Sequence, residues 1–178
     1  MFNCSAPTVR SWMSGGVTER LSALIIGYGN PLRRDDGIGL AAAQQLASDL
    51  DIPGVQVVAC HQLTPELAEP ISRTSRVIFI DACDGDSPGQ VICQPALRDP
   101  ESAPAFAHHL TPAALLACAH ALYHANPTEA LVMTVNGACF EYGEGLTPQV
   151  AAALPVVTTM LSVILNTWFE GDRKSARG

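Results

Sequence analysis

The chain has 178 residues, 48% hydrophobic and 15% charged, and a formal net charge of -7. That is enough apolar material for one folded domain with its own core, and it excludes a disordered chain. The acidic balance and the lack of any Lys/Arg cluster exclude nucleic acid as the main partner and offer a membrane no basic stripe, because phosphate is bound by a basic face.

Residues 1–20, MFNCSAPTVRSWMSGGVTER, have no apolar h-region of the kind a signal peptide carries and read as a disordered extension, with Met13 as an alternative start. The run SALIIG at 22–27, followed by YGNP, predicts a buried strand feeding a tight loop. From Asp36 to Leu50 apolar residues recur at helical spacing. Val55–Ala59, Arg76–Ile80, Gln90–Cys93 and Leu131–Val135 are further strand candidates.

Thr64-Pro65, Thr111-Pro112 and Thr147-Pro148 each predict a helix start. The hydroxyl satisfies an orphan N–H, and proline has none to lose at the first helical position. The first helix is expected to run to about Ser72 and the second to about His124. The third is expected to run to Phe169, kinked or restarted at Pro155. One α/β domain is therefore expected over 21–170, followed by a polar tail at 171–178. No uninterrupted apolar run approaches about 18 residues, so no transmembrane helix is expected.

Strands and helices alternate, and the strands are continuous apolar runs. This predicts a three-layer α/β/α sandwich around a mostly parallel, twisted sheet of about five strands. Sites in such sheets gather at the C-terminal ends of the strands. The six cysteines, Cys4, Cys60, Cys83, Cys93, Cys118 and Cys139, form no C-x-x-C pair. They read as reduced thiols of a cytoplasmic protein rather than a zinc knuckle.

Three polar groups stand at strand ends. The loop GYGNPLRRDDGIG, 27–39, has glycines after a strand, but Leu32 occupies the third glycine position of a dinucleotide fingerprint and Pro31 intrudes. The loop instead delivers Asp35 and Asp36 to a helix start. Capping is the ordinary role for acids there, and one of them can cap while the other faces a cleft. Asp81 ends an apolar strand, where burial needs a partner. Asp84 and Asp86 read as turn residues. His108 and His109 precede a helix start, where neutral, metal-ligating imidazole is favoured. His120 and His124 lack the glutamate of a zinc-protease pair and read as helix-surface residues; His61 is left undecided. Two carboxylates and one histidine from three loops could hold one divalent ion with open positions.

These segments resemble the hydrogenase maturation proteases. GYGNPLRRDDGIG resembles their G-x-G-N-x-L-x-x-D-(D/E)-x-x-G opening, and VIFIDAC their strand ending in a metal-binding aspartate. AHHLTPAALLACA is similar to their S-x-H-x-x-x-x-x-x-L-L segment, and FEYGEGLTPQV to their G-x-x-L-(S/T) segment. The likeness spans about Leu21 to Phe169, in order.

The resemblance implies an endopeptidase that removes the C-terminal extension of a nickel-iron hydrogenase large-subunit precursor after nickel insertion. It implies Asp36, Asp81 and His108 as metal-binding and catalytic residues, with Asp35 a further candidate for activating water. His108 is the histidine counted back from Leu115 and Leu116. The cation implied is nickel carried by the substrate, for which zinc or cadmium could substitute. Many members have glutamate at the position of Asp36, and some have aspartate-glycine where this chain has His61 and Gln62. A nickel-binding assembly chaperone that docks without cutting would carry the same ligands.

Overall fold

The computed structural model describes residues 21–49, 52–97 and 110–175. Strand β1, Ala23–Tyr28, is buried along nearly its whole length. An aliphatic run with no polar face is what a strand covered on both sides requires. A 3-10 turn, Arg34–Gly37, leads into helix α1, Ile38–Asp49. There follow β2 (Val55–Cys60), α2 (Ala68–Ser72), β3 (Arg76–Cys83) and β4 (Val91–Pro95). Helix α3 (Pro112–Tyr123), β5 (Glu129–Asn136), α4 (Pro148–Ala151) and α5 (Leu154–Ser175) complete the chain.

The sheet order is β2-β1-β3-β5-β4. All neighbours are parallel except β4, which runs antiparallel to β5. Alternate strand residues feed two cores. On one face Ile25, Ile78, Ile80 and Met133 pack with Ile38 and Leu46 of α1 and Val157, Leu161 and Leu165 of α5. On the other, Leu24, Ile26, Val77 and Phe79 pack with Ile71 of α2 and Leu115 and Leu116 of α3. Burying each such side chain contributes ~1.5–3 kcal/mol. The architecture is the predicted three-layer sandwich. From β1 the chain moves to β2 through α1 on one face, then returns past β1 to β3 through α2 on the other. The C-terminal ends of β1 and β3 thus flank the topological switch point.

The glycines of residues 27–39 serve packing. A β-carbon on Gly39 would overlap the carbonyl oxygens of Ile80 and Tyr28, and one on Gly27 the carbonyl oxygen of Gly39. Helix α1 therefore rests directly on β1 and β3. Both obstacles to Gly39 are backbone and cannot rotate away. Gly39→Ala is expected to cost about 3 kcal/mol, the upper end of overpacking penalties, read as a lower urea midpoint.

Several boundaries differ from expectation. Strand β3 continues past Ile80 to Cys83, because β5 pairs with it as far as Cys83 opposite Asn136. Asp81 is therefore inside the ladder, opposite Thr134. Thr111 caps α3 as predicted, its hydroxyl accepting from the Ala114 N–H at 3.2 Å. Thr64 and Thr147 make no side-chain cap bond. The last helical segment breaks after Ala151 and restarts at Leu154, with Pro155 in its first turn. It then runs past Phe169 to Ser175, since Asp172 takes a forked pair of bonds from Arg76 at 2.7 and 2.6 Å, under a guanidinium that also lies 5.5 Å from the Trp168 ring.

Across that break, Pro148–Arg173 is long and apolar enough to cross a membrane, by length and composition only. The sequence has no unbroken apolar run of that size, and the segment qualifies only on its average. Uncharged Thr, Ser and Asn between the aliphatic residues keep the segment apolar on average although no run is unbroken. In the fold its stripe Val157, Leu161, Leu165 and Trp168 is packed against the sheet. Residues 1–20 and 176–178 lie outside the described residues.

Candidate functional site

The two acids of the 3-10 turn face opposite ways. Asp35 is fully buried. Its Oδ2 accepts from the N–H groups of Ala138 and Cys139 at 2.8 and 2.9 Å and from the Thr147 hydroxyl at 2.9 Å; its Oδ1 accepts from the Thr147 N–H at 2.6 Å. Burial works to raise its pKa, but the bonds from Thr147, Ala138 and Cys139 outweigh it and hold the carboxyl below the ordinary aspartate value. Asp35 is therefore corrected from candidate for water activation to internal latch. It joins the 30–37 loop to the 138–147 loop, and it also explains why Thr147 does not cap its own helix.

Asp36 is half-buried and lines the cleft. Its Oδ2 accepts from the Asn30 N–H at 2.8 Å, while the Asn30 side chain accepts from the Leu32 N–H at 3.0 Å. These bonds fix the loop shape. Gly29 has φ of 141°, and a β-carbon there would overlap the Asp36 carbonyl oxygen.

Asp81 approaches from β3. Gly27 pairs with Ile80 in register, so the next residues, Tyr28 and Asp81, are neighbours on one face of the sheet. The Asp81 Oδ1 accepts from the Ala82 N–H at 2.8 Å. Burial pushes the carboxyl up to about 6, against hydrogen bonds from Tyr28 and Ala82, with nearby Asp36 adding repulsion. Burial, with help from Asp81, likewise raises the Tyr28 phenol.

Asp36 and Asp81 line one open cleft of about 700 Å³ at the switch point, with Tyr28, Arg33, His61 and Thr111 also on its walls. His61, undecided in the sequence, follows the C-terminal end of β2. The strand-end rule that singled out Asp81 also applied to it. His108 and His109 lie outside the described residues. Leu110, two positions after His108, lines the cleft.

Among the described residues no three His, Cys, Asp or Glu side chains are close enough to hold an ion. Two of a possible donor set, the Asp36 carboxylate from the 3-10 turn and the Asp81 carboxylate from β3, line the same cleft. An imidazole added to them would suit a borderline divalent ion such as nickel or zinc.

The remaining candidates are engaged elsewhere. His120 Nδ1 lies 3.0 Å from the Asn126 amide, and His124 closes α3 in the left-handed conformation at φ 52°. Cys83 donates to the Asn136 Oδ1 at 3.0 Å. The five described cysteines are all unpaired.

No family model and no curated protein matches the chain. Solved structures do. The hydrogenase maturating endopeptidase HybD from E. coli is 21% identical, with a TM-score of 0.65, covering 83% of this chain and 94% of that one. The hydrogenase 2 maturation peptidase from a Thaumarchaeota archaeon is 21% identical, with a TM-score of 0.64, over 82% and 98%. The NiFe hydrogenase maturation protease HycI from Thermococcus kodakarensis is 18% identical, with a TM-score of 0.67, over 82% and 92%. At these identities the likeness is one of fold, and the chain has the fold of those structures.

Proposed function

We propose that this chain is a hydrogenase maturation endopeptidase, removing the C-terminal extension of a nickel-iron hydrogenase large-subunit precursor once nickel is in place. The observation that carries this reading is the pairing of Asp36 with Asp81 in one cleft at the switch point. The fold is shared with structures described as hydrogenase maturation endopeptidases. Nickel arrives with the substrate. Asp36 and Asp81 offer it oxygen, and His108 an imidazole nitrogen. A precursor without the cation lacks the charge that would settle between the two acids, so docking doubles as a check on metal insertion. Zinc or cadmium, which take similar donors, would substitute.

Asp81 is harder to ionise than an ordinary aspartate, and the charge of an arriving cation would favour its carboxylate form. With Asp35 committed to the latch, Asp36 is the acid of the pair left to activate water. The G-x-S-x-G pattern at Gly85–Gly89 joins β3 to β4 and no helix follows it, so it lacks the strand-to-helix turn of a serine nucleophile elbow. The Cys83 thiol is directed at Asn136, so Cys83→Ala is expected to retain tail removal within about twofold, well short of the losses that follow removal of a catalytic group. Full loss with intact folding would point to Cys83 as a thiol nucleophile.

The deciding experiment mixes the purified protein with nickel-loaded and nickel-free precursor and weighs the products. A shortened subunit is expected from the loaded precursor alone. Asp36→Ala and His108→Ala should each slow its appearance by about 100-fold or more, while His109→Ala and His120→Ala should not. An unshortened precursor that still binds would make the protein a chaperone. Normal processing by His108→Ala would remove that residue from the site.

A further inference from the structure

Beside the cleft the two loops joined by Asp35 form a stiff lip with an unusual surface. The Gly143 N–H donates to the Leu32 carbonyl at 2.9 Å, and the Arg34 N–H donates to the Gly143 carbonyl at 3.0 Å. The Asp35 N–H donates to the Cys139 carbonyl at 3.2 Å. The Arg33 Nε donates to the Phe140 carbonyl at 3.3 Å, which steers its guanidinium along the lip. On this braced backbone stand Tyr142, 83% exposed, and Leu32, 42% exposed. Arg33 belongs both to the lip and to the cleft wall, and among the described residues it has no acidic partner.

Large exposed apolar side chains on mobile loops cost entropy to order on binding. Here that ordering is already built into the fold. Tyr and Arg are also the residues that most often anchor protein interfaces.

We infer that Leu32, Arg33 and Tyr142 form a docking surface for the folded body of the protein substrate whose tail enters the cleft. This rests on the functional reading above. Arg33 makes lip and cleft continuous, so a peptide leaving the cleft on that side brings the domain it belongs to onto Tyr142 and Leu32. The surface calls for an apolar patch on the partner, with a carboxylate or carbonyl group within reach of the guanidinium.

The test measures the dissociation constant of nickel-loaded precursor by calorimetry, and kcat/KM for its shortening, with the full chain. Tyr142→Ala and Leu32→Ser should each weaken binding about 10-fold, the loss typical of an interface anchor, and Tyr142→Phe should recover most of it. Val163→Thr, at an apolar position 60% exposed on α5, should bind as wild type. Thermal melts confirm that each variant is folded. If wild type shortens the precursor and the lip variants bind it equally well, the docking surface is overturned and the protease reading stands. If wild type neither binds nor shortens it, both fail. A wild-type dimer in sedimentation that Tyr142→Ala dissociates would assign the surface to a second copy of this chain and overturn the inference.

Discussion

Asp81→Asn is expected to abolish tail removal, by about 1,000-fold or more, and at the same time to make the protein more stable at neutral pH. The carboxyl is half-buried beside Tyr28 and near Asp36, and its pKa is pushed up to about 6 against an ordinary 3.8. Holding it ionised at pH 7 costs the folded state roughly 1–3 kcal/mol, the lower figure allowing for its partial exposure. For an acid whose pKa is raised by folding, the contribution to stability is fully present below about 3.8. It is lost as pH rises through about 6. Wild type should therefore lose stability between pH 4 and pH 7 relative to Asp81→Asn, whose amide has no proton to give up. Melting curves at both pH values check this. A variant less stable than wild type at pH 7 would mean that the charge is well accommodated and that the residue is structural.

The neighbouring pair of acids should separate cleanly into one that matters for folding and one that matters for chemistry. Asp35→Ala removes the shared acceptor of three backbone N–H groups and a hydroxyl in a fully buried position. Leaving those donors unsatisfied is expected to cost about 3–5 kcal/mol, a large part of the roughly 5–15 kcal/mol that holds a domain together. Asp35→Asn should recover little, because its NH₂ group would face other donors. The pKa of Asp35 is depressed, so its contribution is present above the ordinary 3.8 and lost as pH falls through the lower folded value. Urea unfolding at pH 7 and pH 3 tests both points. Asp36→Ala, by contrast, loses one side-chain bond, from the Asn30 N–H, and should cost only about 1 kcal/mol.

Composition and the apolar strands were enough to read the layers and the parallel sheet. They were also enough to single out Asp81 and the Asp35-Asp36 pair as polar groups following apolar strands. They did not reveal which of Asp35 and Asp36 faces inward. Both precede the same helix, and the partners that decide the matter, Ala138, Cys139 and Thr147, are more than 100 residues away. The same long-range bond accounts for Thr147. Its Thr-Pro pair looks like the one that caps α3, yet its hydroxyl is spent on another loop. Ile80 looked like the end of β3 because the apolar run stops there. A ladder continues as long as its partner does, and β5 reaches Asn136. His61 went unassigned because a single imidazole in a loop carries no periodicity; only the cleft around it reveals its place.

The back-to-back arrangement of Asp35 and Asp36 has an evolutionary and engineering corollary. The aim of the outward acid is inherited from an anchor that never meets the substrate. On the proposed reading, a change of client could alter the rim but would have to keep the hidden carboxylate and the hydroxyl that answers it. A designer lengthening Asp36 to glutamate would move only the reach of the group, not its bearing, for as long as that anchor holds.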